Sequence, residues 1–138
     1  MRHLMFVFLL ILLVSCGKED MAPTAPINDT FDPTGATAIK TGTFVNKVHV
    51  VSGTATIYDA SGKKVLLLDP FMTENGPDLK IYLSLNESAT SYINLGDLKS
   101  TTGKQSYDIP AGTNINDQMY VHVWCQDFSV NFGQAKLQ

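Results

Sequence analysis

Met119-Tyr120-Val121-His122-Val123-Trp124-Cys125 is the stretch whose reading decides the fold. Its side chains alternate. Met119, Val121, Val123 and Cys125 fall on one face of an extended chain, and Tyr120, His122 and Trp124 fall on the other, the period of a strand and not of a helix. The aliphatic row is the expected core face. Gln126-Asp127 follows as a turn, and Phe128, Val130 and Phe132 then resume the same period. Cys125 closes a core row beside a polar turn, a place where a side chain is expected to be half covered and still reachable.

Outward from that stretch the period of two holds from Lys40 to the end of the chain, with turn signals at regular intervals. Strands are expected over 42–44, 48–58, 64–68, 79–85, 91–93, 105–109, 119–124 and 129–132, with a last one at 135–137. Asp59-Ala60-Ser61-Gly62, Asn75-Gly76-Pro77-Asp78, Gly103-Lys104 and Pro110-Ala111-Gly112 between them are turn material. No stretch sustains three turns of helical periodicity. Gly53, inside the longest expected strand, marks a bulge or a strand crossing. The expected class is all-β: an antiparallel β-sandwich of about eight or nine strands, with a partly closed barrel as the variant.

The N-terminus follows a different grammar. Arg2 and His3 precede an unbroken apolar run from Leu4 to Val14, and Ser15-Cys16 follows. That is the order of a secretory signal peptide, here residues 1–15. About eleven residues make a helix of roughly 16 Å, too short for a hydrocarbon core of about 30 Å. Leu13-Val14-Ser15-Cys16 resembles a lipobox, the bacterial motif whose cysteine is acylated before cleavage; two or three acyl chains on Cys16 would anchor the protein stably. Lys18-Glu19-Asp20 is similar to the export signal that sends lipoproteins of the Bacteroidota to the outer face of the outer membrane. The expected location is thus the cell envelope, with the membrane engaged through lipid on Cys16. Residues 16–38, with Pro23, Pro26 and Pro33, read as the acylated end and a flexible tether ahead of a domain at 39–138.

Composition narrows the function classes. The chain carries 10 Lys+Arg and 13 Asp+Glu. Loss of Arg2 with the signal leaves nine basic against thirteen acidic groups, a net charge of −4. No basic cluster is present, which argues against a nucleic-acid partner. With Cys16 consumed by lipid, Cys125 is the one thiol left in an exported chain and has no intramolecular disulfide partner.

The remaining candidates are few. His49 and His122 both fall on expected strands, where an imidazole can bind a metal or haem iron or serve as a satisfied structural group. No spacing joins them to Cys125 as the roughly three ligands a transition metal needs, so no metal site is assigned. Asp69, Glu74, Asn75 and Asp78 surround a Gly-Pro turn without the spacing of a calcium loop, and fit an Asx-type turn better. Tyr82, Tyr107 and Trp124 are expected as core or rim aromatics. Without a Ser/His/Asp set, a phosphate loop or a carboxylate pair, the chain reads as a carrier or binding module before it reads as an enzyme.

Several spaced pieces point to one family. They are His49-x-Val51-x-Gly53-x-Ala55-x-Ile57, Leu66-x-Leu68-x-x-Phe71, Gly76-Pro77-Asp78-Leu79-x-Ile81-Tyr82-Leu83-Ser84, Gln105-x-Tyr107-x-Ile109-Pro110, and Val121-x-Val123-Trp124-Cys125-x-x-Phe128-x-Val130-x-Phe132-Gly133-x-Ala135. Together they resemble the DM-thirteen domain, described as an electron-transfer domain, over about residues 41–137. The sequence departs from the family pattern at Asp69-Pro70-Phe71, where Pro70 is inserted. The resemblance implies a redox role in which the family's cysteine, here Cys125, acts as a free thiol or as a ligand to a group such as haem. His49 or His122 would then be the second ligand. Covalent haem is excluded by the lack of Cys-x-x-Cys-His. Two functions follow: an envelope lipoprotein that transfers electrons through Cys125, or a non-catalytic surface binding or adhesion module in which Cys125 is structural.

Overall fold

The computed structural model describes residues 20–138. The signal segment, Cys16, Lys18 and Glu19 lie outside the described residues, and Asp20 is the first inside them. Nine strands follow in chain order: β1 (Ile27–Asn28), β2 (Thr37–Asn46), β3 (Val51–Ala60), β4 (Lys63–Thr73), β5 (Leu79–Ser84), β6 (Tyr92–Asp97), β7 (Gly103–Asp108), β8 (Tyr120–Cys125) and β9 (Val130–Lys136). They join in a single sheet, ordered β1-β7-β4-β3-β2-β9-β8-β5-β6, curled into a half-barrel. The all-β expectation holds in its partly closed form: one continuous sheet, not two stacked ones. It is mixed, because β1 runs parallel to β7 while the other neighbours are antiparallel.

Bulges supply the curl. Register shifts fall between Ala38 and Lys40, Gly53 and Ala55, Ile81 and Tyr82, and Val123 and Trp124, and each extra residue bends its strand and adds twist. At Gly53 the expectation of a bulge is met. Gly53 has φ +117°, and a Cβ there would strike the Pro70 carbonyl. Across from Thr54, Asp69 and Pro70 are the extra residues of β4, joined by a cis peptide bond. A bulge is one of the few places a sheet tolerates a proline.

The core fills the concave face. Ala55 and Ile57 of β3, Leu66 and Leu68 of β4, Ile81 and Leu83 of β5, and Val121 and Val123 of β8 are fully buried in one cluster. Each large side chain there contributes about 1.5–3 kcal/mol by leaving water. Phe44 meets Phe71 edge-on at 5.5 Å near the end of the half-barrel that carries the β2–β3 connection.

Two expectations give way. The stretch read as a flexible tether lies against the domain from Met21 onward. Asn75 brackets Ala22, its Oδ1 accepting from the Ala22 amide and its Nδ2 donating to the Ala22 carbonyl. Ser100 Oγ donates to the Ala25 carbonyl, and β1 adds a short edge strand to β7. Asp29 closes the attachment by accepting from Lys99 Nζ at 2.8 Å and from the Ser106 amide at 3.2 Å. The proline-rich composition marked an irregular chain, yet its carbonyls and one carboxylate find partners on the β7 side. Second, His49 is not on a strand. The chain bends over 47–50 between β2 and β3, where the amides of Lys47 and His49 both donate to the Phe132 carbonyl of β9.

Candidate functional site

Cys125 is the last residue of β8, paired with Leu79 on one side and Val130 on the other. Three connections converge there. The β4–β5 connection brings Asn75, Gly76 and Pro77; the turn after β8 brings Phe128; the β2–β3 connection brings Val48 and His49. With Val130 and Phe132 they line an apolar pocket of about 290 Å3 that has Cys125 in its wall. Cys125 Sγ donates its hydrogen to the Pro77 carbonyl at 3.1 Å.

The strand phase of Cys125 matches the sequence reading, but its exposure does not. A half-covered thiol was expected; the residue is 1 % exposed. The turn after β8 folds back, the Gln126 amide donating to the Asp78 carbonyl, and this draws the β4–β5 connection over the sulfur. By contrast Phe128, on the same turn, is 70 % exposed.

His49 shares this pocket with Cys125. Its Nδ1 lies 2.8 Å from Glu74 Oε2, and its ring sits over Phe132 with centroids 3.9 Å apart. Glu74 is itself held, because its Oε2 also accepts from the Val50 amide at 3.1 Å while its own amide donates to the Val50 carbonyl. These bonds, the Val50 amide first and His49 second, hold the Glu74 carboxyl below its ordinary range. An ionised Glu74 can only accept, so Nδ1 carries a hydrogen, and in the neutral ring the lone pair is on Nε2. The pocket wall thus carries a thiol and an imidazole, with Glu74 beside the imidazole to orient it. Glu74 entered the sequence reading only as an oxygen ligand; its pairing with His49 bridges two connections and left no local signal.

His122 is elsewhere. It projects from the other face of β8 and is fully buried there, with its Nε2 2.7 Å from Ser84 Oγ and its Nδ1 3.1 Å from Asn131 Nδ2. The set of Ser84, His122 and Asn131 has the outline of a hydrolase triad, but its polarity runs the wrong way. Glu87 accepts from Gln134 Nε2; Gln134 Oε1 accepts from Asn131 Nδ2, whose second hydrogen points to His122 Nδ1. His122 Nε2 therefore holds the proton and donates to Ser84, whose hydroxyl donates to the Asn86 carbonyl at 2.8 Å. A histidine that donates to the serine cannot take its proton. Burial holds His122 below its ordinary range, so it stays a neutral structural group, as one of its two sequence readings had it.

The other candidates take structural parts. Asn75 Oδ1 also accepts from the Gly76 amide, and Asp78 pairs with Lys80 at 2.6 Å. Tyr107 donates to Gln105 Oε1 at 2.7 Å. Tyr82 stacks between Tyr92 at 4.0 Å and Trp124 at 5.7 Å on the outer face. Haem is not a good fit for what surrounds Cys125. The S–H is committed to a carbonyl beneath the surface, and no Lys or Arg lines the pocket to meet propionates. Its volume stands at the lower edge of the roughly 300–1,000 Å3 of ligand pockets. Of the two histidines offered as a second ligand, His49 shares the pocket with Cys125, whereas His122 lies away from it, bonded to Ser84 and Asn131.

What fold and site define is a small all-β domain whose one described thiol sits in an apolar pocket beside an oriented imidazole. The sequence model of one family, electron transfer DM13, matches residues 43–137, and the chain belongs to that family. No curated protein and no solved structure matches the chain.

Proposed function

We propose that this protein is a lipid-anchored carrier of the bacterial cell envelope that transfers electrons by thiol–disulfide exchange at Cys125. Membership of the electron-transfer family gives the redox class. The observation that carries the finer reading is the joint presence of Cys125 and the Glu74-oriented His49 on one apolar pocket. The signal peptide, lipobox and Lys18-Glu19-Asp20 cluster support the envelope address, outer membrane and outward-facing.

The chemistry balances without a metal or an organic cofactor. His49 Nε2 takes the S–H proton as Cys125 attacks one sulfur of an external disulfide. The new S–S bond holds half of that disulfide on Cys125, and its other sulfur leaves as a thiolate that takes the proton from His49. A second external thiol then attacks the mixed disulfide, releases a new disulfide and restores the S–H. Each cycle reduces one external sulfur and oxidises another by one electron equivalent, so two cycles move one electron pair between the two external thiol–disulfide couples. Because Cys125 is 1 % exposed and bonded to the Pro77 carbonyl, each cycle requires the connection that carries Pro77 to move off the sulfur.

A second reading keeps the pocket and drops the thiol. The burial of Cys125 and the exposure of Phe128 suit a binding module whose cysteine only packs. The pH dependence of Cys125 modification by a small alkylating reagent, on folded protein, separates the two. The redox reading expects reaction at neutral pH, slowed roughly 100-fold in His49→Gln, the lower end of what a positioned base contributes. Equal rates in both proteins would remove His49 from the mechanism, and reaction only after denaturation would leave the binding module.

A further inference from the structure

The geometry points to the pocket end of the half-barrel as a membrane-facing surface, with Phe128 and Val48 seated in the headgroup region of zwitterionic phospholipid. This rests on the reading of Cys16 as the lipid-bearing residue. Covalent geometry then sets a limit. Three residues lie between Cys16 and Asp20, and four steps of at most about 3.6 Å put the acylated residue within about 14 Å of Asp20. The position of Asp20 is fixed: its carbonyl accepts from the Asp78 amide at 2.8 Å, and Met21 bridges to Pro77. Pro77 is part of the pocket wall that includes Val48 and Phe128. The short leash therefore holds one particular end of the domain against the bilayer.

That end is built for it. Phe128 is 70 % and Val48 66 % exposed, and both stand on the lips of the same pocket, with Met21 exposed beside Pro77. Isolated exposed apolar residues are ordinary, but a cluster next to a lipid attachment point marks a membrane contact. Among the described residues no Lys or Arg lines the pocket, and Glu74 sits beside His49, so the pocket wall offers anionic lipid no partner. At the far end, the groove lined by Lys63, Pro110 and Ala111 holds none of the exposed large apolar side chains of the described residues. In this orientation the opening beside Cys125 faces the lipid surface, and the partner couple reaches the thiol along that surface.

The test uses the full acylated chain in phosphatidylcholine vesicles with brominated acyl chains, and one tryptophan as reporter. Trp124→Phe removes the native one, and Phe128→Trp, or Val48→Trp in a second protein, places the probe at the pocket. Ala111→Trp places it at the far end. Brominated lipid should quench the probe at 128 or 48 by roughly half and leave that at 111 nearly unchanged, as expected for a ring about 5–10 Å into the interface. A chain that floats with the vesicles while both pocket probes stay unquenched overturns the orientation. Blue-shifted but unquenched emission at 128 also overturns it and assigns the face to a second protein surface. A chain that does not float at all refutes the lipid anchor itself, a separate failure.

Discussion

At His122 two runs of donated hydrogen bonds start from the Asn131 amide, one through the imidazole to Ser84 and one through Gln134 to Glu87, and they fix a neutral tautomer inside the fold. The unfolded chain titrates at the ordinary histidine value of about 6.5, and burial holds the folded value lower. Above that pH both states keep the imidazole neutral and the network has its full strength. As the pH falls below about 6.5 the unfolded chain gains a proton that the fold refuses, so stability drops until the folded value is passed. Urea midpoints from pH 7.5 down to 5 should therefore fall in the native chain, and the fall should be smaller in His122→Gln. Parallel slopes in the two proteins would show that His122 carries none of it. The sequence put His122 on the non-core face of its strand, and that is where it lies. Its burial was not legible, because the cover comes from elsewhere, the β5–β6 connection with Asn86, Glu87 and the buried Ala89. The same holds at Cys125: its alternation with Val121 and Val123 is local, whereas its covering depends on Pro77 and on a turn bond from Gln126 to Asp78.

Strand existence was legible in the elements and strand limits were not. The expected pieces at 129–132 and 135–137 are one strand, β9, because Gly133 and Gln134 continue the ladder with β8 and β2. β1 left no signal, since two residues paired in parallel carry no alternation. Its docking is specific all the same. Gly103 has φ +107°, and a Cβ on it would run into the Ile27 backbone. Gly103→Ala should therefore release the 21–36 segment and lose more than about 1 kcal/mol, through both the forbidden dihedral and the clash. The checks are early protease cleavage within 21–36 and a melting temperature lower by about 4–8 °C per kcal/mol. Gly112→Ala is the control: its φ is +83°, but nothing crowds the position, so it should melt lower without early cleavage there. Equal cleavage patterns in the native chain and Gly103→Ala would contradict the close packing of β1. The exposed turn behaves oppositely. Phe128→Ala removes a ring that is mostly in water and should change stability by no more than about 0.5 kcal/mol.

On the scale of the whole molecule, the proposed lipid anchor at Cys16, the docked segment from Met21 and the half-barrel would together present Cys125 close to a membrane. The anchor is tested by Cys16→Ser, which should leave the protein in the soluble periplasmic fraction after a carbonate wash; retention with membranes would refute it. Replacing Lys18, Glu19 and Asp20 with alanine should keep acylation and remove digestion by external protease on whole cells. The central claim, electron transfer through Cys125, meets its most direct test in a redox titration of the folded protein against glutathione buffers, with mixed disulfide at Cys125 followed by mass. The account predicts a reversible, single-thiol transition that persists without denaturant, is absent in Cys125→Ala, and approaches equilibrium more slowly in His49→Gln. A Cys125 that stays reduced in every buffer until the fold is unfolded, with Cys125→Ala merely less stable by about 1–2 kcal/mol, would contradict it.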